Sequence, residues 1–313
     1  MKFSLKLSAL CAALLLALLC LPSAAQAQLR GPSFDTQSSA RGSGLARAFS
    51  ALADDPSAIR VNPAGIGQVP YYGVDVLYQN NEDASNRYNQ YTVSFVDSKT
   101  SEMAAGVSYS VVSDNAFGFI GNNFDEPPAF SYTVLALADT SIEGFDFGMS
   151  FQWLRTDKPV TTAAHHDFEI TVGGIVPFDD LWGLRIGVVG RNLIGSDRVL
   201  LADGVSYIRP LPREFELSGA LVPLDFLRFA GAFKFDYSSK DDKSLGFGIA
   251  GEIEPYDELR IRMGYRRDAP TEDYYLTGGA GFEGKEGALI YGYEYNLSLK
   301  TSQHTVQLLM RWF

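Results

Sequence analysis

From about residue 70 onward, apolar and polar side chains take turns along the chain with a period of two. That spacing belongs to a strand with one face in an apolar medium and the other in a polar one. Over 258–267, Leu259, Ile261, Met263 and Tyr265 share one face, and Arg260, Arg262 and Arg266 share the other. Over 226–237, Leu227, Phe229, Phe233, Phe235 and Tyr237 oppose Arg228, Lys234 and Asp236. Phe145, Phe147, Met149, Phe151 and Trp153 oppose Asp146, Ser150 and Gln152. The alternation predicts 14 strands, at 71–79, 88–97, 102–112, 128–138, 144–155, 167–177, 182–193, 212–222, 226–237, 244–253, 258–267, 273–283, 286–296 and 302–313. They take up slightly over half of the chain after residue 27, against about a quarter in soluble proteins. Most match the roughly 9–11 residues that a tilted strand needs to cross a bilayer.

The connections between these segments alternate in length. The second, fourth and later even ones (98–101, 139–143, 178–181, 223–225, 254–257, 284–285) hold five residues or fewer, and 113–127 and 194–211 among the odd ones are much longer. Short turns on one side and longer loops on the other, with an even strand count, are the layout of an outer-membrane barrel. A soluble β-sandwich or lectin also alternates. Against it, aromatics gather at the strand ends (Tyr71, Tyr72, Trp153, Trp182, Tyr237, Tyr274, Tyr291, Tyr293, Tyr295, Trp312), as the girdles of a membrane barrel require. The expected fold is therefore an all-β membrane fold, a 14-stranded antiparallel outer-membrane β-barrel over 71–313 with a short helical hatch over 28–70 inside its lumen.

Composition fits this picture. The 313 residues are 46% hydrophobic and 13% aromatic, with a formal net charge of −11, so nucleic acid is excluded as a partner for want of a basic surface. Residues 1–27 read as a secretory signal peptide: Lys2 and Lys6, an apolar run over 7–21, and Ala25-Gln26-Ala27 as the cleavage site. A lipoprotein anchor at Cys20 is the alternative, disfavoured by the bulky Leu19 before it. Cys11 and Cys20 leave with the signal, and the remaining chain has no thiol for a disulfide, a metal or a nucleophile. The expected location is the outer membrane of a Gram-negative bacterium.

Residues 28–70 do not alternate. Leu45–Ala53 suits a short helix, Asp55-Pro56 reads as an N-cap followed by proline at the first helical position, and Asn62-Pro63 repeats the device, with Gly65 and Gly67 ending that helix. The run Ala53-Asp54-Asp55-Pro56-Ser57-Ala58, then Asn62-Pro63-Ala64-Gly65-Ile66, resembles the hatch of the FadL/TodX family of outer-membrane transporters. It is similar also to PorV-type barrels. The first resemblance implies passive uptake of small hydrophobic molecules such as fatty acids through a plugged barrel. The second implies a structural or adaptor barrel of a secretion or surface-assembly machine. Either makes Asp54, Asp55, Pro56, Asn62, Pro63 and Ala64 the hatch motif.

The face opposite the aromatics would line the lumen, with Asp75, Asp167, Glu169, Arg185, Arg191, Glu214, Glu216, Arg228, Lys234, Glu252, Arg260, Arg262, Arg266, Glu294 and Arg311. A candidate hydrophobic ligand pocket joins Phe49, Leu52 and Ile66 of the hatch to Leu77, Leu135, Leu154 and Ile175 of the wall, with Leu137, Val189 and Val96 nearby. Packing of plug against wall is the other reading of these residues. No catalytic signature appears, so no enzyme and no cofactor are expected. His165-His166 falls in a predicted loop and is not taken as a metal site. The remaining partners expected are outer-membrane lipids and lipopolysaccharide, and the outer-membrane insertion machinery, which would read the terminal Phe313 behind Val306, Leu308, Met310 and Trp312.

Overall fold

The computed structural model describes residues 37–82, 87–113, 130–139, 141–156, 165–178, 180–194, 199–200, 207–208, 213–236, 244–268 and 273–313. Residues 1–36, with the expected signal peptide, and most of the long connections fall outside these residues, as does Tyr237. Fourteen strands close into one barrel: β1 (Tyr72–Glu82), β2 (Arg87–Asp97), β3 (Met103–Ser113), β4 (Phe130–Asp139), β5 (Asp146–Thr156), β6 (His165–Phe178), β7 (Leu184–Arg191), β10 (Glu214–Leu224), β11 (Leu227–Asp236), β12 (Ser244–Tyr256), β13 (Leu259–Arg267), β14 (Tyr274–Glu283), β15 (Gly287–Asn296) and β16 (Thr301–Trp312). A two-residue pair, β8 (Val199–Leu200) and β9 (Tyr207–Ile208), stands outside it. Every barrel strand pairs antiparallel with its sequence neighbour, and β1 pairs with β16 from Tyr72↔Trp312 to Asn81↔Gln303. Closure leaves no free edge, as a bilayer demands.

The period-two pattern sets the facing. Ile261 and Met263 point outward, Met263 at 74% exposure, while Arg262 and Arg266 are buried inside. Phe229, Phe233 and Phe235 likewise form an outer belt on β11, and Val306, Leu308, Met310 and Trp312 continue it on β16. At the short-turn end, the Phe313 ring meets Tyr71 edge-on at 5.5 Å, beside the seam where β1 and β16 meet.

Some expectations change. Leu135 and Leu137 lie on the outer surface, Leu135 at 56% exposure, whereas Val134, Ala136 and Ala138 are buried. β4 is apolar on both faces, so hydrophobicity alone could not fix its parity; the small alanines go inward, where the plug leaves little room. The 140–145 connection is longer than expected: β4 ends at Asp139, whose carboxylate accepts from Ser141 N at 2.8 Å. His165 and His166 start β6 instead of lying in a loop. His166 faces outward, its Nδ1 accepting from Trp153 Nε1 at 3.2 Å, while Asp167 is buried on the other face.

Candidate functional site: the plug and its seat

Residues 37–68 fill the lumen. Helix α1 (Ala40–Gly44) starts at Ser39, whose hydroxyl accepts from Gly42 N at 3.2 Å. It ends at Leu45 in a Schellman-type closure, with Arg47 N donating to Gly42 O at 2.8 Å. That closure puts Ala46 and Arg47 in the left-handed region at φ 52 and 58, at about 1–2 kcal/mol for each non-glycine residue. The helix expected over Leu45–Ala53 therefore does not form; it lies upstream, and turns replace it.

Of the two expected caps, Asn62 caps a helix, while Asp55 closes the turn ahead of a helix whose own N-cap, Ser57, makes no side-chain cap bond. Asp55 Oδ1 accepts from Ser57 N at 2.8 Å and from Ser57 Oγ at 2.5 Å, and α2 (Ala58–Val61) follows two residues after Pro56. Asn62 accepts from Ala64 N at 3.2 Å and starts a 3-10 helix over Pro63–Gln68, so Gly65 and Gly67 lie inside that helix and do not end it. Asn62 also donates to Ser50 O at 3.0 Å and so ties the two halves of the plug together. Gly65 is required there because a β-carbon would overlap the Ala53 carbonyl.

The wall is carved to receive this segment. Gly73, Gly106, Gly148, Gly173, Gly187, Gly248, Gly264, Gly279 and Gly292 lie on nine different strands. At each, a β-carbon would come within 3.3 Å or less of a plug atom. Going along the plug, Ala40 and Ser43 meet β15, Gly44 meets β14, Ala46 meets β13 and β12, and Ala51 meets β7. Pro56 then meets β1, Ile59 meets β3, and Asn62 to Ala64 meet β6 and β5. The segment thus winds round the whole interior. Sequence reasoning missed this seat, although inward glycines at alternate positions were its visible trace.

Ionic contacts fix the plug within the seat. Arg60 donates to Ser94 Oγ at 2.5 Å, Ser108 Oγ at 2.8 Å and Ser38 O at 2.9 Å, with Asp75 at 3.6 Å. From the wall, Arg191 reaches Val61 O at 2.7 Å and Ser50 Oγ at 3.1 Å while bonded to Glu216 at 2.7 Å. Arg47 meets Glu294 at 3.2 Å, and Arg41 joins Asp54 and lies 3.6 Å from Glu252. Glu252 also holds Arg228 at 2.5 Å and Arg262 at 2.6 Å, and Arg262 and Arg260 share Glu283. Buried pairs of this kind add little net stability, but separating the partners is costly because it leaves a buried charge uncompensated. Burial would raise the carboxyls of Asp54 and Asp55. At Asp54 the charges of Arg41 and Arg185 and the Arg41 hydrogen bond together outweigh burial and hold the carboxyl below the ordinary range, whereas at Asp55 burial prevails and the carboxyl stays above it.

Of the candidate pocket, Phe49, Leu52, Ile66 and Leu154 join one apolar cluster, Leu77 and Ile175 are buried inward but outside that cluster, and Leu135 is excluded by its outward facing. The cluster also takes in Leu45, Ile59 and Val61 of the plug and Val96, Val112, Phe130, Tyr132 and Val134 of the wall. It runs the full barrel height: Val112 and Phe130 sit by the long-loop end, Val134 lies midway along β4, and Val96, Ala104, Ala138 and Tyr71 sit by the short turns. A cavity of about 10 Å³ borders it, lined by Gln37, Ser39, Gly42, Ser43, Arg47, Phe49 and Val61, room for about one water. The apolar residues are thus in contact along a seam, with no preformed drug-sized pocket at that cavity. Among the described residues no cluster of metal-ligating side chains occurs.

A closed antiparallel barrel with an apolar outer belt and an N-terminal plug seated in its lumen defines the class: a plugged membrane barrel. No family model matches the chain, and no curated protein sequence matches it. Among solved structures, the chain resembles a FadL homologue of Pseudomonas aeruginosa at 11% identity, with a TM-score of 0.59 over 91% of this chain and 99% of that one. It resembles the toluene transporter TbuX of Ralstonia pickettii at 12% identity, with a TM-score of 0.54 over 82% and 94%. The toluene transporter TodX of Pseudomonas putida gives 12% and 0.50 over 92% and 99%. At these identities the likeness is one of fold: the chain is built as a FadL-type barrel.

Proposed function

We propose that the protein is an outer-membrane channel through which small hydrophobic molecules diffuse passively between plug and wall. One observation carries the reading. The apolar seam is continuous from the long-loop end to the short-turn end, in a lumen whose β10–β15 side is lined with ion pairs. A wall needed only to hold the plug could use polar contacts throughout, as it does around Arg60 and Arg191. Apolar surface along the full height gives a hydrophobic solute a route without desolvating charges. Two relatives in fold are named toluene transporters, in keeping with this class of cargo.

The test compares initial toluene uptake in cells with the protein, without it, and with Asn62→Ala. The substitution removes the cap on Ala64 N and the tie to Ser50, loosening the plug by about 0.5–2 kcal/mol beside the seam at Ile66. Faster uptake with the protein than without it, altered by Asn62→Ala, is expected. Equal uptake in all three strains overturns the channel and leaves the adaptor role.

A further inference from the structure

On the long-loop side of the plug, three inward wall glutamines lie at neighbouring register positions on adjacent strands. Gln79 of β1 stands opposite Gln90 of β2 and Thr305 of β16, and Gln303 lies one inward position further along β16. Gln79 is wholly buried, yet neither its Oε1 nor its Nε2 has a hydrogen-bond partner. Gln90 Oε1 and Gln303 Nε2 are also unbonded. Two acceptors and two donors are thus left unmet within one small patch. Buried amides are rarely left so, and a wall that merely packs would be more stable with apolar side chains of the same shape. The patch adjoins the seam: Gln90 Nε2 donates to the hydroxyl of Tyr132, a seam residue, at 2.6 Å, and to Ser38 Oγ at 2.7 Å.

The charges around the patch are already matched. Arg60 and Asp75 face each other at 3.6 Å, and Glu294, opposite Gln303, is held by Arg47 and by Arg266 at 2.6 Å. A carboxylate head would find no uncommitted cation among these groups. Resting on the channel reading above, we propose that Gln79, Gln90 and Gln303 bind the uncharged polar head of an amphiphile, an alcohol or an amide, whose apolar part lies along the seam. Such a head both donates and accepts, as the unmet amide atoms require. It is taken up in preference to its carboxylate and hydrocarbon counterparts, because a site built for hydrogen bonds rejects ligands that leave it unpaired.

Cells making or lacking the protein are given 1-octanol, octanoate, octane and toluene, and initial rates due to the protein are compared. Octanol is expected to exceed octanoate and octane. The double variant Gln79→Leu, Gln303→Leu is expected to lower the octanol-to-toluene ratio about tenfold, equivalent to about 1.4 kcal/mol. Assembly is checked by heat-resistant migration on a gel. If the double variant fails to assemble, Gln79→Met, which keeps the chain length and removes the amide, is measured instead and is expected to lower the same ratio. An unchanged ratio, or octanoate entering faster than octanol, overturns the head-group site. Absence of toluene flux through the wild type overturns the channel reading, and this proposal with it.

Discussion

Gly148 gives the sharpest test of the seated plug. It lies on β5 facing inward, and a β-carbon there would run into the Pro63 carbonyl carbon and oxygen and the Ala64 nitrogen. These are backbone atoms of a 3-10 helix held by Asn62, so no rotamer change relieves the overlap. Gly148→Ala should therefore cost the roughly 1–3 kcal/mol of an overpacked core, or more. Gly219 on β10 is the control, because the nearest atom to its β-carbon would be 3.9 Å away. There the same substitution should stabilise by about 0.4–1 kcal/mol through the unfolded chain. Gly106 falls between, since its β-carbon would meet the flexible end of Ile59 at 2.8 Å. Urea titration in lipid vesicles, followed by gel mobility of the folded barrel, reads all three. The order Gly148, Gly106, Gly219 from most to least damaging is expected. Gly148→Ala as stable as Gly219→Ala would refute the seat.

Met263→Arg should destabilise the barrel by about 2–4 kcal/mol in the same titration if that outward position lies near the bilayer midplane. Arg262→Ala leaves Glu252 and Glu283 each with a remaining arginine, so its cost should fall somewhat below the roughly 3–5 kcal/mol of an uncompensated buried charge. Asp54 and Asp55 should respond to pH with opposite sign. The Asp54 carboxyl is held low, so the stability it contributes is present above its ordinary value near 3.9 and lost as pH falls through its lowered one. The Asp55 carboxyl is held high, so its contribution is full below that ordinary value and lost as pH rises through the raised one. Protease accessibility of the plug against pH, in Asp54→Asn and Asp55→Asn, should separate the two trends.

Where charged and aromatic residues alternated, the sequence was enough to place the strands: the expected 258–267 is β13 at Leu259–Arg267, and the expected 226–237 is β11 at Leu227–Asp236. Each wrong parity there would have put an arginine in lipid, so only one register was tenable. β4 carried no such penalty, and Leu135 was misassigned because leucine and alanine are equally acceptable on either face. In the plug, the Asn62 cap and the Asp55 turn were visible because they are local hydrogen bonds. The end of α1 was not, because Ala46 takes a left-handed turn that normally calls for glycine. Its reason lies about 200 residues away, in the glycines at 248 and 264 that accept it. The unmet amides were hidden for a different cause: a glutamine at an inward position reads simply as lumen until its partners can be counted.

The glycine seat also bears on how a solute would pass under the channel reading proposed above. A plug whose residues meet glycines on nine strands cannot rotate as a body without driving wall side chains into it, and leaving the lumen would break the Arg60, Arg191 and Arg47 contacts together. Passage along the seam asks for less. Side chains such as Leu52 of the plug and Leu154 of the wall belong to one apolar cluster, held by dispersion contacts that are each small. These can reopen one after another as an apolar molecule takes the place of each lost contact. The Arg47–Glu294 and Arg41–Glu252 contacts on the β10–β15 side would hold the plug still meanwhile. On the proposed channel reading, rigidity on the charged side and yielding contacts on the apolar side would be two halves of one arrangement, and conduction would need no plug release.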